Sequence, residues 1–392
     1  MSCQDMKHQW EKNKNGTLTE EEIEALEEHT ESCEKCMSHL QQLLEEEETN
    51  LSKSQSPPKH EVLDNKKVKR SIMMAKWKQR FSNVVTVLCT IILLWVCGSF
   101  LSMAYYFPFD KAAYINTVNK AAIESALPNV HVRGSSTETK PYFRLQSEYD
   151  LYKDIGQEQQ AVGSFTFYNL FNRTTNIEKD FVNGQYDMKL SFAYPKQIQS
   201  QQNPSIYTEW SNDTWKALEK LPEGTVSEIA ISFDDTYTLN EVHTKLDSLL
   251  TKDMRPSWYA LDTGYEQRTA NDDQPLLDLT STFGFPYFLE LSFYEKDGQQ
   301  LNETDRVVKM MKLLAENERT VQQVRWMEKS KLKLKERYEF VKKNGVEVYG
   351  VVITGPTKEL LTLKDDPSIT YASLGEVKLW NWFMRPSSGT LN

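Results

Sequence analysis

No cysteine follows Cys97. The long C-terminal part of the chain therefore carries no disulfide and no cysteine nucleophile. Histidine is also scarce, with 6 in 392 residues, and only His131 and His243 lie beyond Cys97. No G-x-S-x-G, H-E-x-x-H or P-loop pattern occurs, so the common signatures of hydrolases, zinc peptidases and nucleotide-binding enzymes are missing. The adjacent pairs Asp234–Asp235, Asp272–Asp273 and Asp365–Asp366 read as solvated loop residues, with Asp272–Asp273 the one pair suited to help hold a cation. These absences point away from an enzyme.

Long apolar runs are equally rare. The one present is VVTVLCTIILLWVCGSFLSMA, Val84–Ala104, and it contains no charge. At about 1.5 Å per residue it reaches about 31 Å, the thickness of a bilayer's hydrocarbon core. Tyr105, Tyr106 and Phe107 follow it and Trp77 precedes it, as aromatic belts flank transmembrane helices. It is too long, and begins too far along the chain, for a secretory signal peptide. The competing reading is a buried core helix.

The net charge of −10 conceals a division. Acidic residues dominate before Ser56, with runs at Glu20–Glu22 and Glu45–Glu48. From Lys59 to Arg80 the sign reverses: Lys59, Lys66, Lys67, Lys69, Arg70, Lys76, Lys78 and Arg80 face only Glu61 and Asp64. Only Lys111 closely follows the apolar run. The positive-inside rule then predicts a cytoplasmic N-terminus and an extracytoplasmic segment after about residue 105. Topology accounts for the basic flank, which lacks the interleaved aromatics of a nucleic-acid binder, so no direct nucleic-acid contact is expected.

The acidic head holds Cys3, Cys33 and Cys36, and His29 stands with the latter two as H-x3-C-x2-C. Two thiolates at x2 spacing can bind one ion from a turn opening a helix, and imidazole completes a third position of a tetrahedral zinc shell. Cys3 is the obvious fourth ligand, as the only other cysteine before the apolar run, with His8 and His39 as weaker candidates. A reversible dithiol without metal and a pair of ordinary surface thiols are the alternatives. The head has few apolar residues, and a core that small is commonly stapled by a metal.

Thr19 followed by Glu22 resembles a capping box, opening a helix with Ile23 and Leu26 on its apolar stripe up to His29. A further helix begins near Cys33, with Met37, Leu40 and Leu44 at helical spacing. Such a stripe is usually core, but in so thin a bundle part of it can face a partner. Residues 49–83 read as a linker and a basic amphipathic helix carrying Ile72 and Trp77 into the apolar run.

Beyond residue 105 a helix is predicted over Tyr114–Leu127, closed by Pro128. Alternating aromatics from Lys140 to Pro195, including Gly163–Tyr168 and Tyr186–Tyr194, predict antiparallel strands. A helix near Thr214–Lys220 closes this membrane-proximal α+β region, 105–224. The remainder, 225–392, carries a weak internal repeat. Strand Glu228–Phe233, helix Leu239–Leu250 and strand Pro256–Ala260 are echoed by strand Val346–Ile353, short helix Lys358–Leu363 and strand Pro367–Ala372, with a long charged helical region over Thr304–Lys342 between them. Two β-α-β units suggest an α+β sandwich, a ferredoxin-like arrangement being one candidate. The fold class expected is thus a small all-α zinc-binding head (1–48), one transmembrane helix (84–104) and an α+β extracytoplasmic domain.

Taken together, the chain resembles membrane-anchored anti-sigma factors that control extracytoplasmic-function sigma factors in bacteria. The head is similar to the zinc-associated anti-sigma domain, whose hallmark is an upstream Cys or His followed by H-x3-C-x2-C; Cys3, His29, Cys33 and Cys36 match it position by position. The single span and cysteine-free C-terminal segment look like the sigma-factor-regulator type of Gram-positive bacilli. Tyr349–Pro356 through Trp380–Trp382 resembles its C-terminal domain. The resemblance implies a structural zinc ion and a head that sequesters a sigma factor at the cytoplasmic face, through residues such as Ile23, Leu26, Met37, Leu40, Leu44 and Ile72. It also implies release on an extracytoplasmic signal, with a membrane co-regulator or protease as a further partner. An alternative is a single-pass sensor whose head recruits another signalling protein. A third reading, from a different class, is a surface enzyme such as a wall hydrolase anchored by the head.

Overall fold

The computed structural model describes residues 65–187, 189–195, 205–266, 282–291, 301–325 and 332–380, and in the head residues 12, 19, 22, 23, 25, 28, 29, 32–38, 41, 42 and 45. The chain divides into two compact units, residues 1–89 and 90–392, and the division falls within one helix. That helix, α1, runs Asn65–Tyr106. The basic helix and the apolar run expected as successive pieces are therefore one rod. Among the described residues it is the one helix long and apolar enough to cross a membrane. Its large side chains from Ile72 to Leu101 are exposed, Phe100 at 69% and Trp77 at 70%, which removes the reading as a buried core helix.

In the head, the described residues on either side of Cys33 are helical. The start expected at Thr19 is present. Glu22 accepts the Thr19 amide at 3.0 Å and the Thr19 hydroxyl at 2.9 Å, the half of a capping box in which the acidic side chain reaches back. These bonds hold the Glu22 carboxyl below the usual range.

In the C-terminal unit, α2 (Lys111–Ala126) follows α1. It leads into a four-stranded antiparallel sheet ordered β1-β2-β3-β4, formed by Val130–Lys140, Arg144–Ile155, Glu158–Leu170 and Arg173–Phe181. The alternation read from the sequence is visible in β2, where Leu145, Tyr149, Leu151 and Ile155 are buried. Strand β1 was not expected, because its sequence VHVRGSSTETK is almost wholly polar beyond Val132; pairing along its length with β2 holds it in the sheet.

After α3 (Ser205–Lys220) come β5 (Thr225–Thr238), α4 (Leu239–Leu249), β6 (Arg255–Leu261) and the short β7 (Gly284–Pro286). Helices α5 (Glu303–Glu316), α6 (Glu318–Arg325) and α7 (Leu334–Asn344) follow. They replace the single long helical region expected: Asn317 breaks the first from the second. The described residues end with β8 (Glu347–Pro356), α8 (Thr357–Leu360), a 3-10 turn (Leu361–Asp365) and β9 (Ile369–Leu379). The second sheet is antiparallel, ordered β7-β6-β8-β5-β9. The strands of the two repeated units interleave, β8 pairing with both β5 and β6 and β9 with β5, which is the order of a split β-α-β arrangement.

One hydrophobic core joins the two sheets. Ala122 and Ile123 of α2 share it with Tyr149 and Phe165 of the first sheet and Ile231 and Ile353 of the second. The other face of the second sheet packs Leu190, Phe192 and Tyr194 over Ala230, Trp258 and Val352. This corrects the strand expected over Tyr186–Tyr194: the segment lies across the sheet face instead of joining a ladder, making a single bridge at Phe192. Its backbone is satisfied by side-chain hydroxyls, Ser191 N–H donating to Ser373 Oγ at 2.9 Å and Ala193 N–H to Ser232 Oγ at 3.0 Å. Gly350 makes room for it, since a Cβ there would stand 2.7 Å from the Phe192 ring. The alternation reported burial correctly, and a face-on packing produces it as well as a strand does.

Candidate metal-binding site

The geometry of the H-x3-C-x2-C stretch follows from where one helical run stops and the next begins. The carbonyl of His29 accepts the Cys33 amide at 3.0 Å and the Ser32 hydroxyl at 3.1 Å. Cys33 itself is not helical, and its carbonyl accepts the amides of Cys36 at 3.0 Å and Met37 at 3.1 Å. Cys33 thus occupies the N-cap position of the run 34–38, and both thiols sit at a helix N-terminus.

The break folds Cys36 back onto His29, with Sγ and Nε2 3.6 Å apart. One donor atom from each of His29, Cys33 and Cys36 lies within 4.8 Å of the others. Cys36 is buried and the other two are half-buried. The donor set fits zinc. A sulfur at about 2.3 Å and a nitrogen at about 2.05 Å on a tetrahedral ion stand about 3.6 Å apart. Thiolate and imidazole are also the ligands that borderline-soft divalent ions select. The three residues would supply three of the four positions of a tetrahedral ion. Cys3, expected as the fourth ligand, lies outside the described residues, as do His8 and His39.

Of the residues expected to face a partner, Ile23 is half-buried, Met37 is 39% exposed one residue after Cys36, and Ile72 is 51% exposed on α1. Leu26, Leu40 and Leu44 lie outside the described residues, and so does the Asp272–Asp273 pair.

The C-terminal unit holds two buried ion pairs that sequence reading missed. Lys153 of β2 pairs with Glu228 of β5, and Glu228 also accepts Asn129 Nδ2 at 2.7 Å and the Glu376 amide at 3.0 Å. Burial alone would depress the Lys153 ammonium, but the Glu228 charge outweighs it and raises its pKa. Arg337 of α7 meets Glu266 at 2.9 Å with neither side chain exposed. Arg325 packs over Phe283 at 3.6 Å and donates to the Thr282 carbonyl at 2.8 Å. Burial and the neighbouring Arg337 bring its pKa down to about 9. The partners are 75 and 71 residues apart in sequence, so no local pattern announces them. Both pairs join elements of the core.

A long exposed apolar helix joined to an α+β unit, with head residues that could hold a metal, fits a membrane-tethered protein. Comparison with known families agrees. A family model described as "Sigma factor regulator N-terminal" matches residues 69–160, and one described as "Sigma factor regulator C-terminal" matches residues 218–376. The chain belongs to the sigma factor regulator family, as an anti-sigma factor of that type. It is similar to the probable anti-sigma-M factor YhdL of Bacillus subtilis (strain 168), 28% identical over 393 aligned positions that take in 97% of this chain and 100% of the relative. No solved structure matches. The first family match begins on α1, so the His29–Cys33–Cys36 group lies before both matched regions.

Proposed function

We infer that this chain holds a sigma factor of the extracytoplasmic-function class inactive at the cytoplasmic face of a bacterial membrane and releases it in response to an extracytoplasmic signal. The reading is carried by the match to both regulator regions together with similarity, over nearly the whole chain, to a probable anti-sigma-M factor. The exposed apolar helix supplies the membrane anchor. The lysines and arginines on its N-terminal side favour a cytoplasmic head and an extracytoplasmic α+β unit.

Within the head, His29, Cys33 and Cys36 would hold a structural zinc ion, with Cys3 as fourth ligand. When bound, the ion contributes cross-linking free energy to a domain with too few apolar residues to fold firmly. The chain's own residues do the recognition. Ile23, Leu26, Met37, Leu40, Leu44 and Ile72 offer apolar contact, and the acidic runs suit a basic, DNA-binding partner by charge. A co-regulator or protease at the membrane is the further partner proposed for release.

The test is capture. The full chain, tagged at its C-terminus and solubilised from its native membrane, is expected to co-purify with a sigma factor identified by mass spectrometry. The same capture is expected to fail with Met37→Asp. Recovery of the intact full chain with no sigma factor would overturn the reading.

A further inference from the structure

The turns at one end of the first sheet run down the side of α1 in place of standing clear of it. Tyr142, in the β1–β2 turn, donates its amide to the Gly98 carbonyl at 3.1 Å and its hydroxyl to the Leu94 carbonyl at 3.1 Å. The Phe143 amide donates to Ser102 Oγ at 2.7 Å. Phe171, in the β3–β4 turn, donates its amide to the Phe143 carbonyl at 2.9 Å. Tyr106 on α1 ties both turns, its hydroxyl lying 2.7 Å from the Phe143 carbonyl and 3.0 Å from the Phe171 carbonyl.

Gly98 and Ser102 belong to the apolar run Val84–Ala104. If that run spans the hydrocarbon, Gly98 lies six residues, about 9 Å, inside its C-terminal edge. Loop backbone at such depth is tolerated only where its polar groups find partners in the protein, and each amide and carbonyl named above does. The side chains left over are mostly apolar; the polar one at a tip, Asn172, accepts the Tyr105 hydroxyl of α1 at 3.2 Å. Tyr142 is 50% exposed, Phe171 and Leu170 42% each, and Phe107 and Phe109 on the adjoining stretch 64% and 75%. Immediately behind the tips stand the exposed cations Arg144 and Arg173. Aromatic residues backed by basic ones form the usual pattern of a bilayer interface. The three turn residues Tyr142, Phe143 and Phe171 also adopt left-handed φ values of 62°, 59° and 53°. That conformation is costly for large side chains, and the bonds to α1 hold it.

We propose that the β1–β2 and β3–β4 turns insert their aromatic side chains into the bilayer leaflet on the C-terminal side of the span, with Arg144 and Arg173 at the lipid phosphates, so that the α+β unit is seated on the membrane as well as tethered to it. The proposal rests on α1 being a membrane span. It makes the lipid surface a second partner of this unit, reached through residues that neither the motif nor the apolar run announces.

The experiment reconstitutes the full chain in phosphatidylglycerol–phosphatidylcholine vesicles containing a lipid with a diazirine on its acyl chain. After photolysis, adducts are mapped by peptide mass spectrometry. The expected result is adducts on the apolar part of α1 and also at Tyr142 and at Leu170–Phe171, with the turn adducts lost in the double variant Tyr142→Asp, Phe171→Asp while those on α1 persist. Adducts on α1 with none at the turns overturn the insertion and leave the span intact. Absence of adducts on α1 overturns the span and the insertion with it.

Discussion

The Glu228 carboxylate of β5 takes the Lys153 ammonium of β2, joining the two sheets by an ion pair that is almost wholly withdrawn from water. Asn129 and the Glu376 amide donate two further hydrogen bonds to the carboxylate. A buried pair of this kind adds little net stability over apolar packing, but removing one partner leaves an uncompensated charge. Glu228→Ala is therefore expected to cost about 3–5 kcal/mol. The combined Glu228→Leu, Lys153→Met variant is expected to recover most of that loss. Denaturant unfolding of the full chain in detergent, followed by near-ultraviolet circular dichroism, measures both.

A second buried carboxyl makes stability depend on pH. Glu124 of α2 accepts the Val132 amide at 3.1 Å, and burial, opposed by Lys120, pushes its pKa up to about 7 from the usual 4.5. The folded chain thus favours the protonated form. Its contribution is fully present below about pH 4.5 and is lost as pH rises through about 7. The loss amounts to about 3 kcal/mol once the carboxylate is ionised. Asp262, raised to about 6 by burial and by Glu266, acts with the same sign, and the half-buried His131, depressed chiefly by desolvation, acts with the opposite one. Glu124→Gln isolates the effect. Its unfolding free energy is expected to fall less between about pH 5 and pH 8 than that of the unaltered chain, by close to the amount above.

How far the sequence discloses this molecule differs from one element to the next. The H-x3-C-x2-C group was legible because its spacing is local: His29, Cys33 and Cys36 meet through one helix break, and the chain between them prescribes it. The apolar helix and the two repeated β-α-β units were legible for the same reason, since period and length are properties of short windows. Strand β1 was not, because a polar edge strand is made by its neighbour. The Leu190–Phe192–Tyr194 alternation was misread as a strand because burial on one face is common to strands and to segments laid over a sheet. Tyr106 shows the same limit. It reads as one of an interfacial aromatic trio, yet it is fully buried and tethers two turns that arrive from 37 and 65 residues away.

The proposed zinc site predicts coupled loss of metal and structure. Full-length chain purified under reducing conditions is expected to carry about one zinc ion per head. Cys36→Ser, which removes the buried thiol 3.6 Å from His29 Nε2, is expected to abolish binding. Because structural zinc binding is folding free energy, the variant head is also expected to become sensitive to protease while residues 90–392 remain resistant. A Cys36→Ser chain that keeps its zinc and an equally resistant head would sink the assignment. Elemental analysis and limited proteolysis give the two readouts.

The seat of the β1–β2 turn on α1 predicts which amides are protected. Phe143 N–H is held by the Ser102 hydroxyl at 2.7 Å, and Tyr142 N–H by the Gly98 carbonyl at 3.1 Å. Ser102→Ala removes the first acceptor and leaves the helix otherwise intact. Losing one such bond, worth about 1 kcal/mol, corresponds to roughly fivefold faster exchange at Phe143. Gly98 acts differently. A Cβ there would stand 3.0 Å from the Tyr142 ring and 3.2 Å from Pro141. Alanine needs only a small shift of an exposed ring, whereas leucine must lift the turn away from the helix. Gly98→Leu is therefore expected to deprotect both Tyr142 and Phe143, and Gly98→Ala neither. Hydrogen–deuterium exchange of the reconstituted full chain distinguishes these patterns, and equal protection in the leucine variant would show that the turn does not rest on Gly98.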